Sequence, residues 1–412
     1  MNINTAIIVD VRRKPPRRKR QEAQCGLNIF ADLLVLEGLT CFTLARRRSQ
    51  VRNQLYRYIH EGCNYRRIVE DVIHDILDMY TMVRREAVSK DDGDDREAAC
   101  LELLATAAHL CEKFQIRDAE LISYVMTEHF LLLGGHTNDW FEFLNPFGSV
   151  GRLTDSSLYP YRHDRRGALR EWITSRHLNA LDYFLVHGNR MELLVTRSPW
   201  RDAGNPTTTN YDRVSFVDFP LQNPLFGFMT PLTLACLSAH PPAVLLLLRH
   251  GGSPLHPYKQ VECPYQDWSQ PLYAVVNQLN LRQDEDLGSE LEVSSPEGRE
   301  TLQNLAMWRG RKLVQCLQLL SRAATPSQLP LRFSADVCRG HHDHRHGSRF
   351  IYLHERFTRM LPRRCTAPPA DLQHLCRCAL RRRLKTLNRL PDGIHKLALP
   401  NFLRLYLDLR ID

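Results

Sequence analysis

The sequence predicts an all-α protein built from stacked helix pairs, with a helical region before the stack and three short helices after it. Three observations support this fold class: a capped helix–turn–helix segment at 229–254, apolar residues at helical spacing through 27–160, and a basic closing stretch at 371–409 with a narrow apolar stripe. Apolar residues three and four positions apart lie on one face of a helix. At 412 residues and 43% hydrophobic, the chain can bury cores of this kind.

The segment 229–254 (MTPLTLACLSAHPPAVLLLLRHGGSP) contains the helix pair. Thr230 is placed to cap the first helix, and Pro231 suits its first position because that N–H would have no helical partner. We expect the turn at 238–242 and a left-handed Gly251 at the end of the second helix. The side chains predicted to be buried are Leu232, Ala235 and Cys236 in the first helix and Val244, Leu245, Leu247 and Leu248 in the second.

This segment resembles an ankyrin repeat, whose signature is a T-P-L-H-x-A stretch followed by a Leu-rich helix that ends in glycine. Thr233 stands where the family usually has His, which removes an internal hydrogen-bonding side chain. A single repeat cannot bury its own face, so neighbouring repeats are expected. Upstream, we predict a first helix from Ala168 and a second that ends at Gly188. Downstream, Pro271 and Leu272 repeat the capped start.

The region before the stack is predicted to hold four helices. They cover 28–39, 66–85, 96–114 and 118–135, and the acidic run SKDDGDD separates the second from the third. Two further stretches, 194–224 and 282–300, have the composition of long insertions because they are rich in polar residues or poor in apolar ones.

The closing stretch combines a stripe, a turn and a final helix. Leu372, Cys376, Ala379 and Leu380 fall on one helical face, and the rest of that helix is strongly basic. The stripe is too small for a core helix with two buried faces. A turn follows at Pro391 and Gly393. Beyond it, the apolar positions are Ile394, Leu397 and Leu399 before Pro400, and Leu403, Tyr406 and Leu407 after it.

This stretch resembles a SOCS box. The form L-x-x-x-C-x-x-x-aliphatic is met by Leu372, Cys376 and Leu380, whereas L-P-aliphatic-P is met only in part because Ala398 replaces the first proline. The resemblance implies binding of elongin B and elongin C, and of a cullin, with type 5 favoured, together with a RING protein. The elongin-binding residues would be Leu372, Leu375, Cys376, Ala379 and Leu380, and the cullin-binding residues would be Leu397, Leu399 and Pro400.

The two segments together resemble the ankyrin repeat and SOCS box family, as a divergent member. With this resemblance, the sequence divides into five predicted regions: a basic disordered tail at 1–26, a helical N-terminal region at 27–160, divergent ankyrin repeats with long insertions at 161–330, a linker at 331–364 and the SOCS box at 365–412. The ankyrin positions it assigns are Thr230, Pro231, Leu232, Ala235, Leu247, Gly251, Pro271 and Leu272.

The family resemblance implies a non-catalytic substrate-recognition adaptor of an elongin B/C–cullin–RING E3 ubiquitin ligase. Such an adaptor promotes ubiquitination and degradation of a protein by proximity, as part of intracellular signal transduction. The ankyrin repeats and their inserted loops, especially 194–224 and 283–306, would hold the protein substrate, which the sequence does not identify. A phosphate loop, a nucleophile elbow and an HExxH motif are missing from the sequence, so neither a catalytic residue nor a cofactor is expected. The alternative is a non-degradative scaffold whose last helices cap the stack, and Ala398 favours it.

Charge and composition narrow the partners and the compartment. Residues 1–20 carry seven Lys/Arg against one Asp and 361–412 carry eleven against four, so the middle is slightly acidic. Nucleic-acid-binding domains concentrate positive charge on the folded face, so no nucleic acid is expected. A third hypothesis is salt-sensitive binding of DNA or RNA through residues 1–20. Apolar runs are far shorter than the roughly 20 residues of a membrane span, and the scattered 12 cysteines are typical of reduced thiols.

We therefore expect no membrane partner and a cytoplasmic location, with a nuclear pool left open by the basic run at 11–20. The sequence GHHDHRHG at 340–347 could bind zinc or nickel. Without cysteines at the spacing of a structural zinc site, a solvated linker is favoured, and no metal site is predicted.

Overall fold

The computed structural model describes residues 66–87, 93–132, 141, 161–163, 169–171, 175–189, 193–196, 211–219, 221–223, 227–254, 270–285, 296–325, 332–334, 350–352 and 371–411. The predicted tail 1–26, the predicted helix 28–39 and the His-rich run 340–347 lie outside these residues. The chain divides into two compact units, Met1–Gly135 and His136–Asp412, and each is described by itself.

The first unit contains helices α1 (Arg66–Ala87), α2 (Gly93–Lys113) and α3 (Ala119–Leu132). They confirm three of the predicted helices. Helix α1 packs on α2, and α2 packs on α3. Helix α2 begins inside the acidic run that was expected to separate it from α1, because acidic residues are favourable in the first turn of a helix.

A polar contact also joins α1 to α3. The Tyr80 hydroxyl donates to Glu128 Oε2 at 2.6 Å, and Arg84 donates to the same carboxylate and to the Tyr80 oxygen. Burial and the neighbouring carboxylate raise the pKa of Tyr80, so this hydroxyl keeps its proton and its role as a donor.

The second unit is built on a stack of helices, α4 (Ser175–Gly188), α5 (Pro231–Leu237), α6 (Pro241–Arg249), α7 (Pro271–Glu285) and α8 (Pro296–Ala323). Helix α5 packs on α7, while α6 lies between α4 and α8. Corresponding helices of successive pairs therefore contact one another, so each pair buries its apolar face against the next. Fully buried members of this core are Leu232, Ala235, Val244, Leu247, Val275 and Leu320.

The helix pair at 229–254 has the end geometry that its sequence predicts. The Thr230 hydroxyl accepts from the Thr233 N–H at 3.2 Å, Pro231 is the first helical residue, and Gly251 has φ +94°. The turn is shorter than expected, at 238–240, because Pro241 starts the second helix. His240 caps that helix through Nδ1, which accepts from the Ala243 N–H at 3.2 Å.

Two expectations for this pair were wrong. Leu245 is only half-buried, whereas Leu246 is buried beside the predicted Val244, Leu247 and Leu248, because α4, α5 and α8 all pack against this helix and cover more than one stripe of it. Thr233 also keeps an internal hydrogen bond, because its hydroxyl lies 3.0 Å from the Thr230 hydroxyl inside the core. The residue that replaces the usual His thus contributes to the cap.

The chain is mostly helical, but the all-α prediction missed short strands. The described residues contain four antiparallel pairs: β1 (Tyr161–His163) with β2 (Leu169–Glu171), β3 (Leu193–Thr196) with β4 (Tyr211–Val214), β5 (Leu221–Asn223) with β6 (Gly227–Met229), and β7 (Arg332–Ser334) with β8 (Phe350–Tyr352). Strand β2 replaces the helix predicted from Ala168. A partner strand only a few residues away offers its backbone hydrogen bonds, and local helix propensity is too weak to compete.

The predicted insertions are also partly ordered. Strands β3 to β6 and a 3-10 turn at Phe216–Asp218 lie within or beside the insertion 194–224. Helix α7 runs into the stretch 282–300 and α8 begins inside it, at Pro296, where a proline suits the first helical position. The predicted linker 331–364 contains β7 and β8.

The last three helices are α9 (Leu372–Thr386), α10 (Asp392–His395) and α11 (Asn401–Leu407), as predicted. Their own small core consists of Leu390, Ile394 and Leu407, with Leu384, Leu397 and Leu399 packed against it. Among the described residues of the chain, no helix is both long enough and apolar enough to span a membrane.

A candidate docking site on the last three helices

Helix α9 begins where an acidic side chain caps it. The Asp371 carboxylate accepts from the Gln373 N–H at 3.0 Å, which satisfies one of the unpaired donors of the first turn. Leu372 is therefore the first helical residue, and the apolar stripe starts at the N-terminus of the helix.

The structure brings the predicted elongin-binding side chains together on the outward face of α9. Leu372 is 74% exposed, the highest value among the exposed large apolar side chains of the described residues. Its companions on this face, all exposed, are Leu375, Cys376, Ala379 and Leu380. A contiguous apolar face that the protein's own core does not cover is typical of a binding surface for another protein.

The inward face of α9 is basic and buried, an arrangement that the sequence did not predict. His374, Arg377, Cys378 and Arg381 are all buried. They are spaced three and four positions apart, so they form one face, opposite Leu372 and Cys376. The regular spacing of the basic residues was visible in the sequence, but basic side chains are normally assigned to solvent.

Arg381 binds the ends of two helices at once. It donates to the Leu407 carbonyl at 2.8 Å and to the Leu248 carbonyl, in the last turns of α11 and α6. Carbonyls in the last turn have no helical partner and carry the negative end of the helix dipole, so a guanidinium is well suited to them. Desolvation lowers the pKa of Arg381 to about 10, and Asp408 opposes this shift, so the side chain stays charged at neutral pH.

His374 and Arg377 form a second buried contact. The His374 ring lies with Nε2 2.9 Å from the Ala324 carbonyl, which follows α8, and Arg377 Nη2 is 3.0 Å from His374 Nδ1. Since guanidinium nitrogens only donate, Nδ1 must accept and Nε2 must carry the proton, which makes His374 neutral. The Arg377 guanidinium also lies 4.2 Å from the centre of the Tyr406 ring, a favourable cation–π distance.

A buried ion pair joins the end of the chain to the stack. Asp408 has no exposed surface, and both of its carboxylate oxygens accept from Arg249 Nε, at 3.0 and 2.9 Å. Arg410 Nε donates to the same carboxylate at 2.8 Å. A further ion pair runs from Lys385 of α9 to Asp218, whose other oxygen accepts from the Ser253 N–H at 2.7 Å.

The predicted cullin-binding residues divide into two environments. Leu397 and Leu399 are partly buried against the core of the last three helices, whereas Pro400 is exposed next to them. Phe402, for which the sequence predicted no role, is 57% exposed at the second position of α11. Its only sequence signal was its place two residues after the L-A-L-P stretch.

Within the part of the chain that the structure describes, no cluster of His, Cys, Asp and Glu could hold a metal ion.

One family comparison identifies a segment of the chain. Residues 368–408 match the model of the family described as SOCS box, so the match covers the last three helices and a small part of the chain. No curated protein and no solved structure matches the chain. The SOCS box is a module that binds elongin B/C in adaptors of cullin–RING ligases. The ankyrin resemblance of the stack stays a prediction.

Proposed function

We propose that the chain is a substrate-recognition adaptor of an elongin B/C–cullin–RING E3 ubiquitin ligase. In this proposal, the outward face of α9 docks onto elongin B/C and the helix stack holds a protein substrate for ubiquitination and degradation. One observation supports it above the others: the five predicted elongin-binding side chains stand exposed together in a segment that matches the SOCS box.

The mechanism is proximity. A receptor of this kind needs no reacting group of its own, because it raises the effective concentration of a substrate lysine near a charged conjugating enzyme. The direct links from α9 and Asp408 to the stack favour this role, since they hold the elongin-binding face in a fixed position relative to the stack.

The first test is co-purification of the full chain with co-expressed elongin B and C. The variant Leu372→Ala/Cys376→Ala should lose the complex, because interfaces concentrate their free energy in a few apolar anchors at ~2 kcal/mol or more each. Both side chains are exposed, so the variant should fold normally. Met82→Ala is the matched control, since it truncates an exposed apolar side chain in the other unit.

Two results would contradict the proposal: no complex with the intact chain, or an undiminished complex with the double variant. Circular dichroism of the purified variant separates lost binding from lost folding.

The finer assignments are part of the same proposal. Leu397, Leu399 and Pro400 would belong to the cullin contact, with a type 5 cullin and its RING protein favoured, and the loops at 194–224 and 283–306 would contact the substrate. Binding of purified type 5 cullin to the elongin complex tests the first assignment. Loss of substrate capture after replacement of either loop tests the second.

A specific observation also favours the second candidate, a non-degradative scaffold. Ala398 stands where the L-P-aliphatic-P motif has its first proline, so the match to the cullin-binding motif is incomplete. If the chain is a scaffold, a captured partner should co-purify without cullin and should not be ubiquitinated. A reconstituted ubiquitination assay with that partner therefore separates the two candidates.

A further inference from the structure

The part of the chain proposed to contact cullin has an unusual distribution of apolar surface. Leu397 and Leu399 of the L-A-L-P stretch pack against the core formed by Leu390, Ile394 and Leu407. These leucines lie in the turn before α11, and much of their surface is buried within the protein, where a partner cannot contact it. A partner that approaches this turn meets the side chains between and after them.

The outward side chains here are Ala398, Pro400 and Phe402, all exposed. Ala398 stands where the SOCS box resemblance expects a proline, and a methyl group offers a partner much less apolar area than a proline ring. Phe402 is the second most exposed large apolar side chain of the described residues, after Leu372. The apolar area that is missing at Ala398 is thus present four residues later.

Phe402 is held on a fixed support. The Arg404 N–H donates to the Pro400 carbonyl at 3.1 Å, which closes the first turn of α11 around Phe402. The other end of the helix is anchored, because Tyr406 and Leu407 are buried. A ring carried on such a preorganised turn loses little conformational entropy when a partner covers it, and aromatic side chains are enriched at the centres of interfaces.

From this arrangement we infer that Phe402 is the main apolar anchor of the cullin contact. Its ring takes the role of the proline that the motif has at position 398, where this chain has alanine. The inference rests on the proposed function. Continuity identifies the occupant: Phe402 lies two residues from Pro400 and inside the segment 368–408 that matches the SOCS box. The partner surface is a cullin groove that takes an aromatic ring beside a proline.

The test is the affinity of purified type 5 cullin for the full chain in complex with elongin B and C. Phe402→Ala should weaken binding about tenfold or more, as expected for the loss of a buried aromatic anchor, and Phe402→Leu should lose less. Ala398→Pro should restore much of the loss in the Phe402→Ala background and change little on its own. Leu131→Ala is the matched control, at 53% exposure in the first unit.

Unchanged cullin affinity in Phe402→Ala would overturn the inference, as would a lack of cullin binding by the intact elongin complex. Elongin co-purification is read in parallel on the same samples. Failure of the intact chain to bind elongin overturns the proposed function, whereas a normal elongin complex with a cullin affinity indifferent to Phe402 overturns only the inference. A Phe402→Ala variant that loses elongin as well would also count against it, because the ring would then support the fold.

Discussion

The Arg249–Asp408 ion pair should be a main contributor to the attachment of the last three helices to the stack. The perturbation is a double-mutant cycle of Arg249→Met and Asp408→Asn, which remove one charge each and keep most of the side-chain volume. Such a cycle isolates the coupling between two groups in contact.

The structure sets the expected magnitudes. Both carboxylate oxygens lie within 3.0 Å of Arg249 Nε, Asp408 is fully buried and the Arg249 side chain is 17% exposed. Charges ~4 Å apart attract by ~4 kcal/mol at an effective dielectric constant of ~20, and desolvation offsets part of this. Because Arg410 still binds Asp408 in Arg249→Met, we expect that variant to cost about 2 kcal/mol and Asp408→Asn about 3 kcal/mol. The coupling should be about 1.5 kcal/mol.

Hydrogen exchange in the full chain measures the loss of stability locally, at the amides of the last helices. A local measurement is needed because the two units need not unfold together. Amides of α11 should exchange roughly 30-fold faster in Arg249→Met, the factor that corresponds to ~2 kcal/mol. The double variant should exchange more slowly than the sum of the single effects predicts. Exchange equal to the parent in both single variants, or strictly additive effects, would refute the reasoning.

Three further outcomes are expected. Gly251→Ala should destabilise the chain by about 1–2 kcal/mol, because φ is +94° and the new Cβ would lie 3.4 Å from Leu390 Cδ1; thermal unfolding checks this. The hydrogen bond from His250 holds the pKa of Asp182 below its ordinary value. The carboxylate therefore stabilises the fold above pH ~3.9, and this stabilisation is lost as the pH falls through the folded pKa. When the pH is lowered from 5 to 3, the Asp182→Asn variant should lose less thermal stability than the parent. Arg381→Met should leave elongin co-purification intact but speed exchange of the amides of α9, and unchanged exchange would count against its bonds to two helix ends.

Much of the helical fold could be predicted because its signals are local. Thr230, Pro231 and Gly251 act at the ends of a helix pair through their own backbone preferences, so spacing alone placed them. The strands could not be predicted in this way. A segment such as Leu193–Thr196 becomes a strand only because Tyr211–Val214 lies beside it, and these two segments are separated in the sequence by residues that give no hairpin signal.

The candidate site was predictable in its outward half alone. The stripe begun by Leu372 follows from helical spacing, but the burial of His374 and Arg381 depends on carbonyl groups at the ends of other helices. Phe402 was missed for a similar reason: an apolar residue in a short helix is normally assigned to the core, and its exposure is known only once Tyr406 and Leu407 are seen to fill that core.

The orientation of α9 bears directly on whether the closing stretch is a core cap or a docking module. A simple cap would turn Leu372 and Leu380 towards the stack and its basic side chains towards water, since that arrangement buries the most apolar area. Helix α9 has the opposite orientation, with a basic face bonded to carbonyl groups of the stack and an apolar face in water. Hydrogen bonds to particular carbonyls fix the rotation of a helix about its axis, whereas apolar packing is non-directional. The inward bonds therefore hold the apolar stripe outward, which favours a docking module over a core cap.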